Sequence, residues 1–360
     1  MAEEKHFYGG QALMEGVMMR GTDVWGAAVK RQDGTMAVIR QGIWDLTHRY
    51  RWAKWPLIRG NVALVDTLNL GIRSLIFSFN VLVEEQMEQE RREQEAAAAA
   101  QATEPPSPTE NKRRGKRHKA PKKQADTGWL AWAAMLPSLV LGVGLFIILP
   151  TRLVDWIPLV SELGPIGKNC VEGVVRLAGI LGYIAAISLL PDIRRIFEYH
   201  GAEHATINCY EDGKPVTLET CRAYSALHPR CGTAFLLVFI AVKILVGIFL
   251  GWPDFWLRMV LRVATIPVVA AVAYEIIRYG GRHRDSLVAR VLAQPGLLMQ
   301  RLTTRQPSDD QLRVAIYALS TVAPEVPLPQ GFPLPTTAAP DGKLLPDVAA
   351  TVPAPSAPSE

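Results

Sequence analysis

The chain has 360 residues and a net charge of +5 at pH 7, and it is 49% hydrophobic, 8% aromatic and 20% charged. That is too apolar for an ordinary soluble protein that also carries charged tracts. The positive excess sits largely in one run, Lys112 to Lys123, with no aromatic residues interleaved, so it does not describe a nucleic-acid-binding face.

Residues 1–55 are read as a small β-rich unit. Asp33-Gly34 is a hairpin signal between "VWGAAVKRQ" and "TMAVIRQG". The run "YGGQALMEGVMMRG" is expected to form a strand or turn that packs on that hairpin. Residues 56–90 carry a broad apolar face, with Leu57, Leu64, Leu68, Ile72 and Phe79 on it, interrupted by Arg59, Asp66, Asn69 and Arg73. Such a pattern fits an amphipathic helix at an interface better than a full membrane span. Residues 91–128 are biased in composition, with an alanine run, a proline cluster and the basic tract, and are expected to be a disordered linker.

Four hydrophobic stretches follow, at Trp129–Leu149, Gly173–Leu190, Gly232–Leu250 and Met259–Ile277. Each is close to the roughly 20 residues that cross a bilayer core. Pro267 is expected to kink the fourth. Basic residues gather before the first stretch, after the second (Arg194, Arg195) and after the fourth (Arg278, Arg282, Arg284, Arg290). That bias predicts that both termini face the cytosol, in the cytoplasmic (inner) membrane of the cell, with membrane lipids as partners. The fold class is therefore mainly α: a polytopic membrane protein with about four transmembrane helices over residues 129–280, plus the small N-terminal β-rich unit. Residues 281–322 are expected to form a cytosolic helical segment. Residues 323–360, rich in Pro and Ala, are expected to be a disordered tail.

The cytosolic segment 191–231 between the second and third stretches holds the residues with chemical potential. "FEYHGAEHATINCYE" places His200 and His204 at i and i+4, on one face if the segment is helical. Two imidazoles so spaced can hold one Zn²⁺ or similar divalent ion. His-x-x-Glu-His is the inverted zincin pattern, in which Glu203 is the general base. Gly201 weakens the helix by about 1 kcal/mol relative to alanine. "LHPRCGT" adds His228 and Cys231 at the mouth of the third stretch, the other residue types zinc favours. Four protein ligands would make a structural site; three and an open position would make a catalytic one. The competing reading has the histidines in ordinary hydrogen bonds, with Glu198 and Glu203 pairing Arg194 and Arg195. Two further ionisable residues, Lys243 and Glu275, lie within the third and fourth stretches and are functional or structural charges of the bundle.

The four cysteines follow no signal-peptide pattern and are too few for a disulfide framework in so long a chain, so reduced thiols are expected.

"YGGQALMEGVMMRG", "EYHGAEHATINCYE", "HPRCGTAFLL", "AYEIIRY" and "PGLLMQRLTTRQPSDDQLRVAIYAL" together resemble the YqhQ-like family of bacterial membrane proteins, over about residues 7–90 and 129–320. The resemblance implies an integral membrane protein and a predicted metal-dependent enzyme. Combined with the residues above, the expected activity is metal-dependent hydrolysis at the cytosolic membrane face. His200, His204 and His228 would be the ligands, Cys231 a fourth ligand or a group behind them, and Glu203 the base. The alternatives are a scaffold or assembly factor pinned by a structural metal, and a transporter using Lys243 and Glu275.

Overall fold

The computed structural model describes residues 8–43, 50–102, 136–137, 139–283, 286–327 and 336–337. Two hairpins make its antiparallel sheet, in the order β1 (Gly9–Leu13), β2 (Gly16–Arg20), β3 (Val24–Lys30) and β4 (Met36–Gly42). A two-residue strand, β5 (Thr336–Thr337), adds in parallel to β4. Asp33 and Gly34 turn the second hairpin as the sequence predicts. Gly34 takes a φ of 85°, and the Asp33 carboxylate accepts from the Thr35 amide at 2.8 Å. The first hairpin turns at Met14–Glu15, where Glu15 adopts a left-handed φ of 55°. Partners on a helix hold it there: both carboxylate oxygens accept from Arg195, and one also from the Tyr199 hydroxyl at 3.2 Å.

Both faces of the sheet are covered, which explains the methionine-rich middle of β2. Val17, Met19, Ala28, Met36 and Val38 pack on α4 (Pro191–Glu211) and α10 (Asp309–Val322), against Tyr199, Ala202, Leu312, Ile316 and Leu319. The alternate residues Met18, Trp25, Ala27, Val29, Ala37 and Ile39 pack on α1 (Ile58–Ala102), against Leu70, Phe77 and Val81. A strand buried on both sides reads as a continuous apolar run, not as an alternation.

α1 is longer than expected, at 45 residues, and continues through the alanine run. Polar contacts lay it along the sheet. Arg20 pairs with Asp66 at 2.5 Å, Ser78 Oγ donates to Met14 O at 2.6 Å, and the Gln32 amide donates to Glu85 at 2.6 Å. Its opposite face exposes Leu64, Val65, Leu68, Ile72, Leu75, Ile76 and Phe79. The rest of the expected linker, and all of the expected tail but residues 323–327, 336 and 337, lie outside the described residues.

The bundle consists of α2 (Leu139–Trp156), α3 (Pro165–Ile187), α6 (Gly232–Leu250), α7 (Phe255–Ala264) and α8 (Ile266–Arg282). Among the described residues, α1, α2, α3 and α6 are long and apolar enough to cross a membrane. The pair α7–α8, bent by 42° at Thr265, makes up to five. The bend falls two residues before Pro267. The N-terminal third of the first stretch, residues 129–135, lies outside the described residues.

The helix ends differ from those read in the sequence. α2 runs on to Trp156 and α3 starts at Pro165, so much of the segment between the first two expected stretches is helical. The charges find partners within the bundle: Asp155 binds Arg258 at 2.7 Å, and Glu172 binds Arg176 at 2.5 Å and also Arg262. The two deep charges do not meet. Glu275 accepts from Arg59 of α1 at 2.5 and 2.6 Å, whereas Lys243 donates to Arg262 O and Thr265 Oγ1, both at 2.5 Å.

Candidate functional site

α4 opens with Pro191 in its first turn, where a missing amide hydrogen costs nothing, and with Asp192 favourably placed against the helix dipole. Its histidines therefore lie on one helix at i and i+4, with ring centroids 4.4 Å apart. Gly201 is there for space. An alanine Cβ would sit 1.9 Å from the carbonyl oxygen of Arg305. The chain between α9 (Leu287–Thr303) and α10 crosses α4 at this point, and the Arg305 amide donates to Phe197 O at 3.0 Å.

That crossing supplies the first anchor. His200 Nδ1 lies 2.8 Å from Thr303 O. The second comes from the segment after α5 (Leu218–Arg222), where Ala226 O lies 2.7 Å from His204 Nδ1. Asn208 and Gln300 fix this segment. Asn208 Nδ2 donates to Ser225 O and Leu227 O at 3.0 Å, and Gln300 exchanges two 2.8 Å bonds with the backbone of His228. A carbonyl can only accept, so each Nδ1 carries a proton, and in a neutral ring Nε2 keeps its lone pair. His204 Nε2 is buried and has no hydrogen-bond partner. Burial lowers the His204 pKa, which favours the neutral ring.

Cys231, the residue before α6, completes a convergent trio. One donor atom from each of His200, His204 and Cys231 lies within 4.8 Å of the others, and His200 Nε2 stands 3.3 Å from Cys231 Sγ. Ligands at ordinary Zn–N and Zn–S lengths in a tetrahedron would be about 3.6 Å apart. The trio is a group that could hold a metal ion.

The other two residues singled out in the sequence sit beside it. His228 is 4% exposed and its ring centroid is 5.7 Å from that of His204. Its Nδ1 accepts from the Arg230 amide at 3.3 Å, and its Nε2 is 3.6 Å from Glu211, which also pairs with Arg230. It lies outside the trio. Glu203 is 5% exposed, and its Oε2 is buried without a hydrogen-bond partner. Burial raises its pKa, while His200, His228 and the backbone of Gly10 pull the other way. Gly10 is required by this approach: a Cβ there would lie 2.8 Å from Glu203 Oε1 and 2.6 Å from Met18 O. Of the alternative pairings, Glu198 does face Arg194 at 3.7 Å, but Arg195 binds Glu15.

The supporting residues Gly10, Asn208, Ala226, Gln300 and Thr303 are not singled out by sequence reasoning. Only the doubled glycine of "YGGQ" and the lone amide in "LLMQRL" carry a local hint; the carbonyls carry none.

The family described as "Protein of unknown function (DUF1385)" matches residues 55–325. "Uncharacterized protein YqhQ" of Bacillus subtilis (strain 168) is 33% identical over 319 residues, covering 87% of this chain and 91% of that protein. No solved structure matches.

Proposed function

We propose that this chain, which belongs to the DUF1385 family of proteins of unknown function, is a membrane protein with a divalent-metal centre at its cytosolic face, and that the centre is hydrolytic. The observation that carries this is the pair of Nδ1–carbonyl anchors, which leave two Nε2 lone pairs beside the Cys231 sulfur. Histidine ligands commonly donate their other ring N–H in this manner. His200, His204 and Cys231 would hold the ion, and two nitrogens with one sulfur suit Zn²⁺. When bound, the ion supplies a Lewis acid. Three protein ligands leave an open position, as catalytic sites do. Glu203 Oε2, buried and unbonded, is the proton acceptor.

α2, α3, α6 and the bent α7–α8 pair serve as the four spans. α1 lies along the sheet and turns its apolar stripe to the bilayer surface. The site then sits where α3 ends and α6 begins, on the side of the basic clusters, with both termini cytosolic.

A structural ion is the second reading. Burial of His204 favours it, as does the way the trio ties α4 to the start of α6. Hydrolysis of a panel of ester, amide and phosphoester substrates by zinc-loaded protein separates the two. Glu203→Gln should keep the ion and lower turnover about 100-fold. Turnover unchanged by that substitution, or absent across the panel, would favour the structural ion.

A further inference from the structure

We propose that the cleft between α3, α6 and α7 binds a phosphate-type oxyanion presented by a lipid headgroup, at the end of the bundle away from the histidines. The cleft is narrow and partly open to the outside, and its lining includes Asn169, Lys243, Gly247, Arg258, Arg262 and Thr265. Gly247 lets Asn169 approach α6, since a Cβ there would lie 2.8 Å from Asn169 Oδ1. Cys231 and Gly251 bracket α6, so the mouth lies roughly 30 Å from the trio at 1.5 Å per residue.

The charges around the cleft do not balance. Arg176, Lys243, Arg258 and Arg262 face two carboxylates, Asp155 and Glu172. Both oxygens of Glu172 are engaged: Oε1 accepts from Arg176 and from Thr151 at 2.9 Å, and Oε2 from Arg262. Asp155 is used as well, by Arg258 at 2.7 and 3.3 Å and by Trp252 Nε1 at 3.1 Å. The Lys243 ammonium reaches only neutral oxygens. The Arg258 and Arg262 side chains are 5% and 10% exposed, and the Nε of each is buried without a hydrogen-bond partner. Two excess cations among apolar helices are costly unless an anion joins them. A phosphodiester brings the missing charge and the acceptor oxygens in one group. Phe249 and Trp256, on α6 and α7 at this end of the bundle, are 82% and 77% exposed. On the membrane reading they face acyl chains, which free phosphate does not bring.

The inference rests on the membrane reading above. The test is native mass spectrometry of the full chain, extracted in detergent and offered phosphatidylglycerol or phosphatidylcholine. Both carry a phosphodiester, but choline cancels its charge. Wild type should prefer phosphatidylglycerol by about tenfold, and Lys243→Met should lose most of that preference. Equal retention of the two lipids by wild type overturns the site, and that comparison needs no variant to fold. A preference unchanged in both Lys243→Met and Lys243→Gln overturns it too. In a second arm, millimolar inorganic phosphate should raise the Tm of delipidated protein less than phosphatidylglycerol does; an equal rise would overturn the lipid as source. A chain found in the soluble fraction would instead refute the membrane reading itself.

Discussion

The two polar clusters of this molecule are satisfied in opposite ways. Around His200, His204 and Cys231, backbone carbonyls take up the ring donors, and one donor atom of each residue lies within 4.8 Å of the others. Around Glu172, side-chain cations outnumber the carboxylates that hold them. On the readings proposed above, the first arrangement would take a cation and the second an anion. Burial alone does not distinguish them. The direction of each hydrogen bond does, because it says which kind of atom is left over.

The largest effect should come from emptying the second cluster of its own acid. Glu172→Gln leaves Arg176 and Arg262 without their shared carboxylate, and removing one partner of a buried ion pair costs about 3–5 kcal/mol. Thermal unfolding in detergent should show it as a large fall in Tm. An unchanged Tm would mean that neutral oxygens suffice for these arginines, and the contrast between the clusters would collapse.

A smaller loss is expected at the first cluster from Gly201→Ala. The obstructing atom is the backbone oxygen of Arg305, which cannot swing aside, so the crossing segment must move, at about 1–3 kcal/mol. The same movement displaces Thr303 O from His200 Nδ1, so metal affinity should fall together with stability. Stability lost without any change in affinity would show that the carbonyl anchor does not tune the site.

The smallest effect sharpens that point. Ser308 caps α10 in a reciprocal box with Gln311, and Gln311 also donates to Glu198 of α4 at 2.8 Å. Ser308→Ala should cost about 1 kcal/mol in unfolding measurements. It leaves the Glu198 bond in place, so metal content should not change.

What the sequence discloses is what local spacing discloses. Asp33-Gly34 marks its turn because few residues accept that backbone, and His200 and His204 meet because 3.6 residues make a turn. The role of Gly201 is hidden, because its neighbour Arg305 is about a hundred residues away and acts through a carbonyl that every residue possesses. The same holds for Thr303 and Ala226. Gly10 stands next to Glu203 only once the sheet has docked on α4. The ends of α2 and α3 are misread because Asp155 and Glu172 look like loop residues until their arginines, on other helices, are known. His228 shares the loop of Cys231, yet its ring turns to Glu211, and spacing alone does not separate the two.

Metal content tests the central claim most directly. Purified wild type, His204→Ala and His228→Ala should be compared by elemental analysis after exposure to one equivalent of Zn²⁺ and removal of the excess. About one ion per chain is expected in wild type, little in His204→Ala, which lacks a ligand, and a content near wild type in His228→Ala, whose ring lies outside the trio. A wild type that holds no ion, or three proteins with the same content, would contradict the account.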